Sequence, residues 1–526
     1  MDHQAPGILI TYFFYAIALT IPASIILLYW YRRAILRGMR AVSEELTASS
    51  ESQNVAARAE AGKRDGTSVM RRLVIVYTLA GAAAAAVIAA MFLASPGIEF
   101  SAFRAFVVWY AYCWPIGPTL AALLALPQRK ALLAFALYAL AGVALVLLWS
   151  LVSLFVLGKS DTTPFANAGY FLLFLVSEAW LPYLLIVTTA NRRLRSVSPL
   201  VLAGLLVFSF SGLILWQAFV AAFDNPAWRS ALLYFGANTY HLLFMVMVAA
   251  LPVGYMCWRL LRWLGERYED KSFSDVQLLV DIWWLMIIFW ECASLASNFG
   301  WRALFGLLAF VVYRGVVELG LKLWQIGYAL PGESRLLLLR VFGFQRRTEK
   351  LFDAIGARWR LEGSVKMIAG ADLAMRTIDP GDVIAFTAGR LKHLFVQDEG
   401  DLKQRLARLD QMSDPDGRFR VIEFFCHDNT WRPTLRALAR TSDFVLMDLR
   451  GFSQANSGCL FELEQLAQHG LLARTLFVVD ETTDVPLLES TLAQQAGGSL
   501  KLNLAHAKAS SPAEFSRIYG ALQALA

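Results

Sequence analysis

The stretch TSDFVLMDLRGFSQANSGCLFELEQL, residues 441–466, decides the fold of the C-terminal half. Residues 444–449 are a continuous apolar run ending on Asp448 and Leu449. A run of this length, bounded by polar residues, reads as a strand buried on both faces. A polar loop follows, and a helix starts near Asn456 or Ser457. Leu460, Leu463 and Leu466 form an apolar stripe at helical spacing. Glu462 falls in the second turn, one position off that stripe and toward the strand ends.

The same alternation recurs from Ser334 to Ala526. Strands are predicted at 336–342, 365–369, 418–426, 475–480 and 500–504, and helices at 346–361 and 431–440. Pro433 suits the first turn of the latter helix. Apolar strands alternating with helices imply an α/β domain, Rossmann-like, with a mainly parallel sheet covered on both faces. Ligands of such sheets bind beyond the carboxyl ends of the strands.

The N-terminal part is of a different kind. The chain has 526 residues, 57% of them hydrophobic, and a mean hydropathy of +0.50. The apolar surplus sits in runs of about 20 residues, the length that crosses a hydrocarbon core. Nine spans are predicted, near 8–30, 73–94, 104–126, 131–157, 169–190, 199–223, 231–257, 276–297 and 303–325. Only helices satisfy every backbone polar group in such a span, so 1–327 is expected to be an all-α transmembrane bundle and 334–526 a separate domain. Pro331 and Gly332 mark the boundary. The ninth span carries Arg314, Glu318 and Lys322, so an interfacial helix is its alternative.

Lysine and arginine set the orientation. The loop 32–72 after the first span is basic, as are the connections at Arg129–Lys130, Arg192–Arg193 and Arg259–Lys271, whereas the opposite loops carry few cations. This pattern places the N-terminus outside the cell membrane and the C-terminal domain in the cytoplasm. The net charge of +7 mostly reflects this loop bias, so no nucleic-acid partner is expected. Residues 1–6 lack a basic start, so the first span does not read as a cleaved signal peptide. Of five cysteines only Cys426 and Cys459 lie in the C-terminal domain, without metal-ligand spacing; free thiols suit the cytoplasm.

Glu178, His241, Asp281 and Glu291 fall inside the spans. Ionisable groups there face the bundle interior or water and mark a proton path, a cation path or a polar ligand site. The plainer reading is interhelical hydrogen bonding, or a place near the interface, as for Asp281.

The segment Cys459-Leu460-Phe461-Glu462-Leu463 resembles the Cys-x-x-Glu-Leu helix of TIR domains, which follows their third strand. In TIR domains that cleave NAD the glutamate of this motif is catalytic, and it maps onto Glu462. The opening run 338–343, followed by Thr348 to Leu351, is similar to the first TIR strand and helix, and the resemblance implies that Arg340, Phe342 and Gly343 help bind a nucleotide. The region also resembles nucleoside 2-deoxyribosyltransferases, through Asp448, Gly458 and Glu462. Both families act on N-glycosidic bonds. The family's tryptophan before the cysteine is Gly458 here, and 397–416 and 418–441 are additional. The resemblance covers about residues 334–526 and implies NAD as substrate without a further cofactor, self-association, and a role in bacterial defence signalling.

The bland reading of Glu462 is a surface carboxylate favoured by the helix dipole. Asp448 and Arg450 stand at a strand end, where they either bind a ligand or pair with each other. Arg340 either reaches a phosphate or lies near the strand edge. His427 and Asp428 read as a pocket wall or a helix cap. No glycine-rich dinucleotide fingerprint and no Walker pattern is present, which argues against an oxidoreductase or P-loop ATPase. Two other readings stand beside the glycosidase: a non-catalytic nucleotide- or partner-sensing receptor, and a transporter or channel with a regulatory domain.

Overall fold

The computed structural model describes residues 22, 25–41, 66–155, 163–189, 202–204, 206, 207, 211, 225–227, 230, 234, 239–327, 334–341, 345–369, 386, 391–407, 412–496, 502–507 and 511–525. The chain falls into two compact units, residues 1–27 with 72–324, and residues 28–71 with 325–526.

The first unit is helical. In chain order the helices are α1 (25–40), α2 (Gly66–Leu93), α3 (Ala102–Tyr112), α4 (Ile116–Leu123), α5 (Gln128–Phe155), α6 (Pro164–Thr189), α7 (Thr239–Glu269), α8 (Asp275–Phe299) and α9 (Leu308–Leu323). Part of α1 and the first turns of α2 belong to the second unit. Among the described residues five stretches are long and apolar enough to cross a membrane: Gly66–Leu93, Ala102–Leu123, Gln128–Phe155, Asp275–Leu295 and Arg302–Leu323. The expectation of nine is therefore not supported. The spans near 8–30 and 199–223 lie largely outside the described residues, as does the start of the one near 231–257. The described apolar part of α6, Pro164–Ser177, is shorter than a span.

The core of this unit forms around α8, where Trp283, Trp284 and Ile288 are fully buried. Trp284 donates its indole N–H to Thr119 Oγ1 at 3.0 Å and stacks on Tyr313 of α9. The charges in the ninth predicted span have partners. Arg314 donates to Asp281 of α8 and to Glu318 at 3.0 Å. Small residues let the helices approach closely: a Cβ on Gly320 would lie 2.6 Å from Val76, and one on Gly306 2.6 Å from Cys292 Sγ.

The second unit is built on a parallel seven-stranded sheet in the order β3-β4-β2-β1-β5-β6-β7. The strands are β1 (Ser334–Arg340), β2 (Gly363–Ala369), β3 (Phe395–Val396), β4 (Val421–Cys426), β5 (Phe444–Asp448), β6 (Thr475–Val479) and β7 (Asn503–His506). The helices are α10 (Gln345–Trp359), α11 (Glu399–Ala407), α12 (Trp431–Arg440), α13 (Ser457–Gln468), α14 (Val485–Ala496) and α15 (Pro512–Gln523). The period of two along β1 divides its leucines between two cores. Leu336 and Leu338 pack with Leu351, Ile355 and Trp359 of α10 and Ile518 and Leu522 of α15. Leu337 and Leu339 pack with Leu435 of α12, Leu463 of α13 and Leu488 of α14. Helices thus cover both faces, which is why the strands read as continuous apolar runs.

Five of these strands, β2-β1-β5-β6-β7, follow the flavodoxin-like order. The additional residues before β5 do not interrupt it, because β4 pairs with β2 and β3 with β4, so they extend one edge. The chain leaves β1 toward β2 and β4, then returns to lay β5 on the other side of β1. The strand order therefore reverses between β1 and β5, where open α/β sheets bind their ligands.

Candidate functional site

The last residues of β1 and β5, Arg340 and Asp448, are Cα partners in the ladder. β1 is an inner strand, and Arg340, its last residue, is buried at 4% exposure. The backbone continues the pairing, with Val341 N donating to Asp448 O at 3.0 Å. Gly451 follows with a φ of +78°, a left-handed conformation that glycine adopts without a Cβ clash. This turn redirects the chain toward α13.

Asp448 and Arg450 pair with each other. Arg450 Nε donates to Asp448 Oδ1 at 2.8 Å and Nη2 donates to Oδ2 at 2.7 Å. The Thr348 hydroxyl, on α10, donates to the same Oδ2 at 2.7 Å. Both charged groups are buried. The bidentate geometry and the third donor satisfy the carboxylate, which a buried ion pair requires. Thr348 stands a hundred residues from its partner, so no spacing in the sequence joins the two.

Glu462 is not a surface residue. It is 5% exposed, and Oε2 is sealed from solvent with no hydrogen-bond partner among the described residues. Glutamate is almost never this buried unless paired. Burial pushes its pKa up to about 8, against the opposing charge of Arg340. One turn earlier, Cys459 faces the same end of the sheet, and its thiol contacts the Arg340 carbonyl at 3.7 Å. The helix start thus sets Glu462 beside the end of β1. Gly458 lies in open surroundings, where a Cβ would meet nothing within 4 Å. Ser453 donates to Asn456 Oδ1 through its amide and its hydroxyl, which fixes the loop into α13.

A cluster therefore gathers at the β1–β5 switch: Arg340, Thr348, Asp448, Arg450, Cys459 and Glu462. Phe342 and Gly343 lie outside the described residues. His427 donates from Nδ1 to the Gly38 carbonyl at 2.8 Å and stacks on Phe395. It is engaged with the end of α1, and its amide N–H is capped by Thr430. The membrane-side candidates belong to the first unit. Glu178 lies in α6 and His241 in α7. Glu291 is in α8, buried at 2% exposure.

A neutral carboxyl at Glu462 can donate or accept a hydrogen bond, and its carboxylate can stabilise a developing positive charge. No family model, curated protein or solved structure matches this chain.

Proposed function

We propose that this chain is an integral membrane protein whose α/β unit cleaves the N-glycosidic bond of NAD or a related nucleotide, with Glu462 as the catalytic carboxylate. The observation that carries the reading is the buried Oε2 of Glu462, which has no hydrogen-bond partner among the described residues, beside Arg340 at the strand-order reversal. A buried carboxyl oxygen without a hydrogen-bond partner costs stability, and such groups concentrate where chemistry uses them. The resemblance of residues 459–463 to the TIR glutamate helix supplies the substrate class.

In this reading the C1′–N bond breaks, and its electron pair neutralises the pyridinium ring as the base leaves. Water adds at C1′ and gives up one proton. Glu462 hydrogen-bonds a ribose hydroxyl before the bond breaks and, as carboxylate, balances the oxocarbenium-like charge. A cationic nicotinamide ring near Glu462 favours the ionised form, opposing the effect of burial. Arg340 meets a phosphate of the nucleotide. The Asp448–Arg450 pair shapes the floor of the site.

Positive loops support an outside N-terminus and a cytoplasmic α/β unit. Membrane helices suit self-association in the plane, as a defence signalling protein of the TIR kind would use. The satisfied Asp448–Arg450 pair favours a second reading, in which the unit binds a nucleotide without cleaving it. Incubating the full-length protein with NAD and separating nicotinamide from intact dinucleotide tests the choice. Bound but uncleaved NAD would support sensing, and released nicotinamide supports hydrolysis.

A further inference from the structure

Helix α12 carries Arg432, Arg436 and Arg440 at a spacing of four, all exposed, and none of its ten residues is acidic. Residues four apart share one helix face, so the three cations form a row along about 12 Å of helix. Two of them are held by aromatic rings. Arg432 lies 5.3 Å from the ring centres of Trp431 and Phe461, and Arg436 lies 5.4 Å from that of Phe461. Trp431 meets Phe461 edge-on.

Other arginines of this unit have acidic partners: Arg347 with Asp480, Arg405 with Asp401, Arg418 with Asp416, Arg420 with Asp414, Arg450 with Asp448 and Arg517 with Glu514. The α12 row does not. Among the described residues none of Arg432, Arg436 and Arg440 forms an ion pair. Like charges four apart on a helix repel. Stacking on Trp431 and Phe461 offsets that repulsion and fixes the guanidinium planes before any partner arrives.

We propose that α12 docks on the phosphate headgroups of an anionic bilayer through Arg432, Arg436 and Arg440, with Trp431 and Phe461 as its aromatic support. Charge complementarity identifies the occupant. The guanidinium fork matches phosphate oxygens two at a time, and a row of this length fits an extended anionic surface better than a single small ion. The same chain carries helices apolar enough to cross a membrane, which would tether this unit to a bilayer.

The test uses full-length protein in lipid nanodiscs of phosphatidylcholine alone or with about 30% phosphatidylglycerol. Phenylglyoxal modification of each arginine is timed by mass spectrometry, with exposed Arg474 as internal reference. Each basic residue near an anionic surface adds about a fivefold preference for it. Modification of Arg432, Arg436 and Arg440 is therefore expected to slow by about that factor in the anionic discs, relative to Arg474. Salt of roughly 0.5 M should abolish most of the difference through screening. Equal rates in both discs would overturn the proposal. Equal protection by roughly 10 mM inorganic phosphate in phosphatidylcholine discs would also overturn it, assigning the row to a soluble phosphate instead.

Discussion

Arg450 grips Asp448 with two hydrogen bonds of 2.7 and 2.8 Å, and the pair is sealed at the carboxyl end of β5. Two residues apart in sequence, they convert a turn into a buried ionic clasp beside Arg340 and Glu462. Breaking such a pair leaves one uncompensated charge inside the protein, which costs about 3–5 kcal/mol. Asp448→Ala should therefore weaken protection of the β5 amides by that order in hydrogen exchange of the full-length protein. Asp448→Ala combined with Arg450→Met should recover most of the loss. A single variant with unchanged protection would show that the clasp contributes nothing.

The raised pKa of Glu462 sets a pH dependence of definite sign. The folded protein holds this proton up to about pH 8, whereas the unfolded chain releases it near 4.5. The native state thus binds more protons between these values, and stability falls as pH rises through that window. Asp414, raised to about 6 by burial against the opposing pull of Arg420, adds a slope of the same sign that ends lower. His469, whose pKa is lowered by burial and then by Arg440 and Arg436, acts in the opposite direction, below about pH 6.5. Of these three groups, only Glu462 titrates between pH 7 and 8. Glu462→Gln should flatten the slope there and stabilise the α/β unit at pH 8, measured by hydrogen exchange across β1 and β5. A slope that persists in the variant would remove the buried-carboxyl interpretation.

Gly327 has a φ of +87°, and a Cβ there would lie 2.6 Å from the Pro415 carbonyl oxygen. Its own carbonyl accepts from Ser413 Oγ at 3.3 Å. Gly327→Ala must move backbone as well as adopt a disfavoured conformation, at a cost on the order of 1–3 kcal/mol. Faster exchange in residues 412–420 is the expected result, with α13 unaffected.

In the helical unit, Asp281 and Arg314 meet between α8 and α9. Arg314→Met strands the Asp281 carboxyl and should lower the detergent melting temperature of the full-length protein. Adding Asp281→Leu should restore it, because an apolar pair of similar volume suits the surroundings as well. If the double variant melts no higher than the single, the ion pair is not what joins these two helices.

Much of the α/β unit was legible because its strands are long, apolar and separated by helices with clear stripes. Residues 431–440 and 457–468 were readable within a residue or so, since Leu435, Leu438, Leu463 and Leu466 keep helical spacing. β3 escaped because two residues carry no period. α15 had a start signal that went unused: Ser511 caps Glu514 N just before Pro512. Of the nine apolar spans expected, five stretches of the described residues are long and apolar enough to cross a membrane, and the partner of Arg314 was hidden 33 residues away. The position of Glu462 was readable and its environment was not. One place off the apolar stripe pointed it toward the strand ends, and its burial there shows only in the structure. Thr348 was invisible for the same reason, since topology alone brings it to Asp448.

The central claim is that Glu462 performs the chemistry. The most direct measurement is nicotinamide release from NAD by full-length protein in detergent, comparing wild type with Glu462→Gln and Glu464→Gln. Glu464 lies two positions on, hydrogen-bonded to Gln468 at 3.0 Å, and serves as the neighbour that should not matter. Release by wild type and Glu464→Gln, with a loss of about a hundredfold or more in Glu462→Gln, is the predicted result. Equal release by all three proteins would contradict the assignment of Glu462, and no release by folded wild-type protein would contradict the glycosidase reading itself.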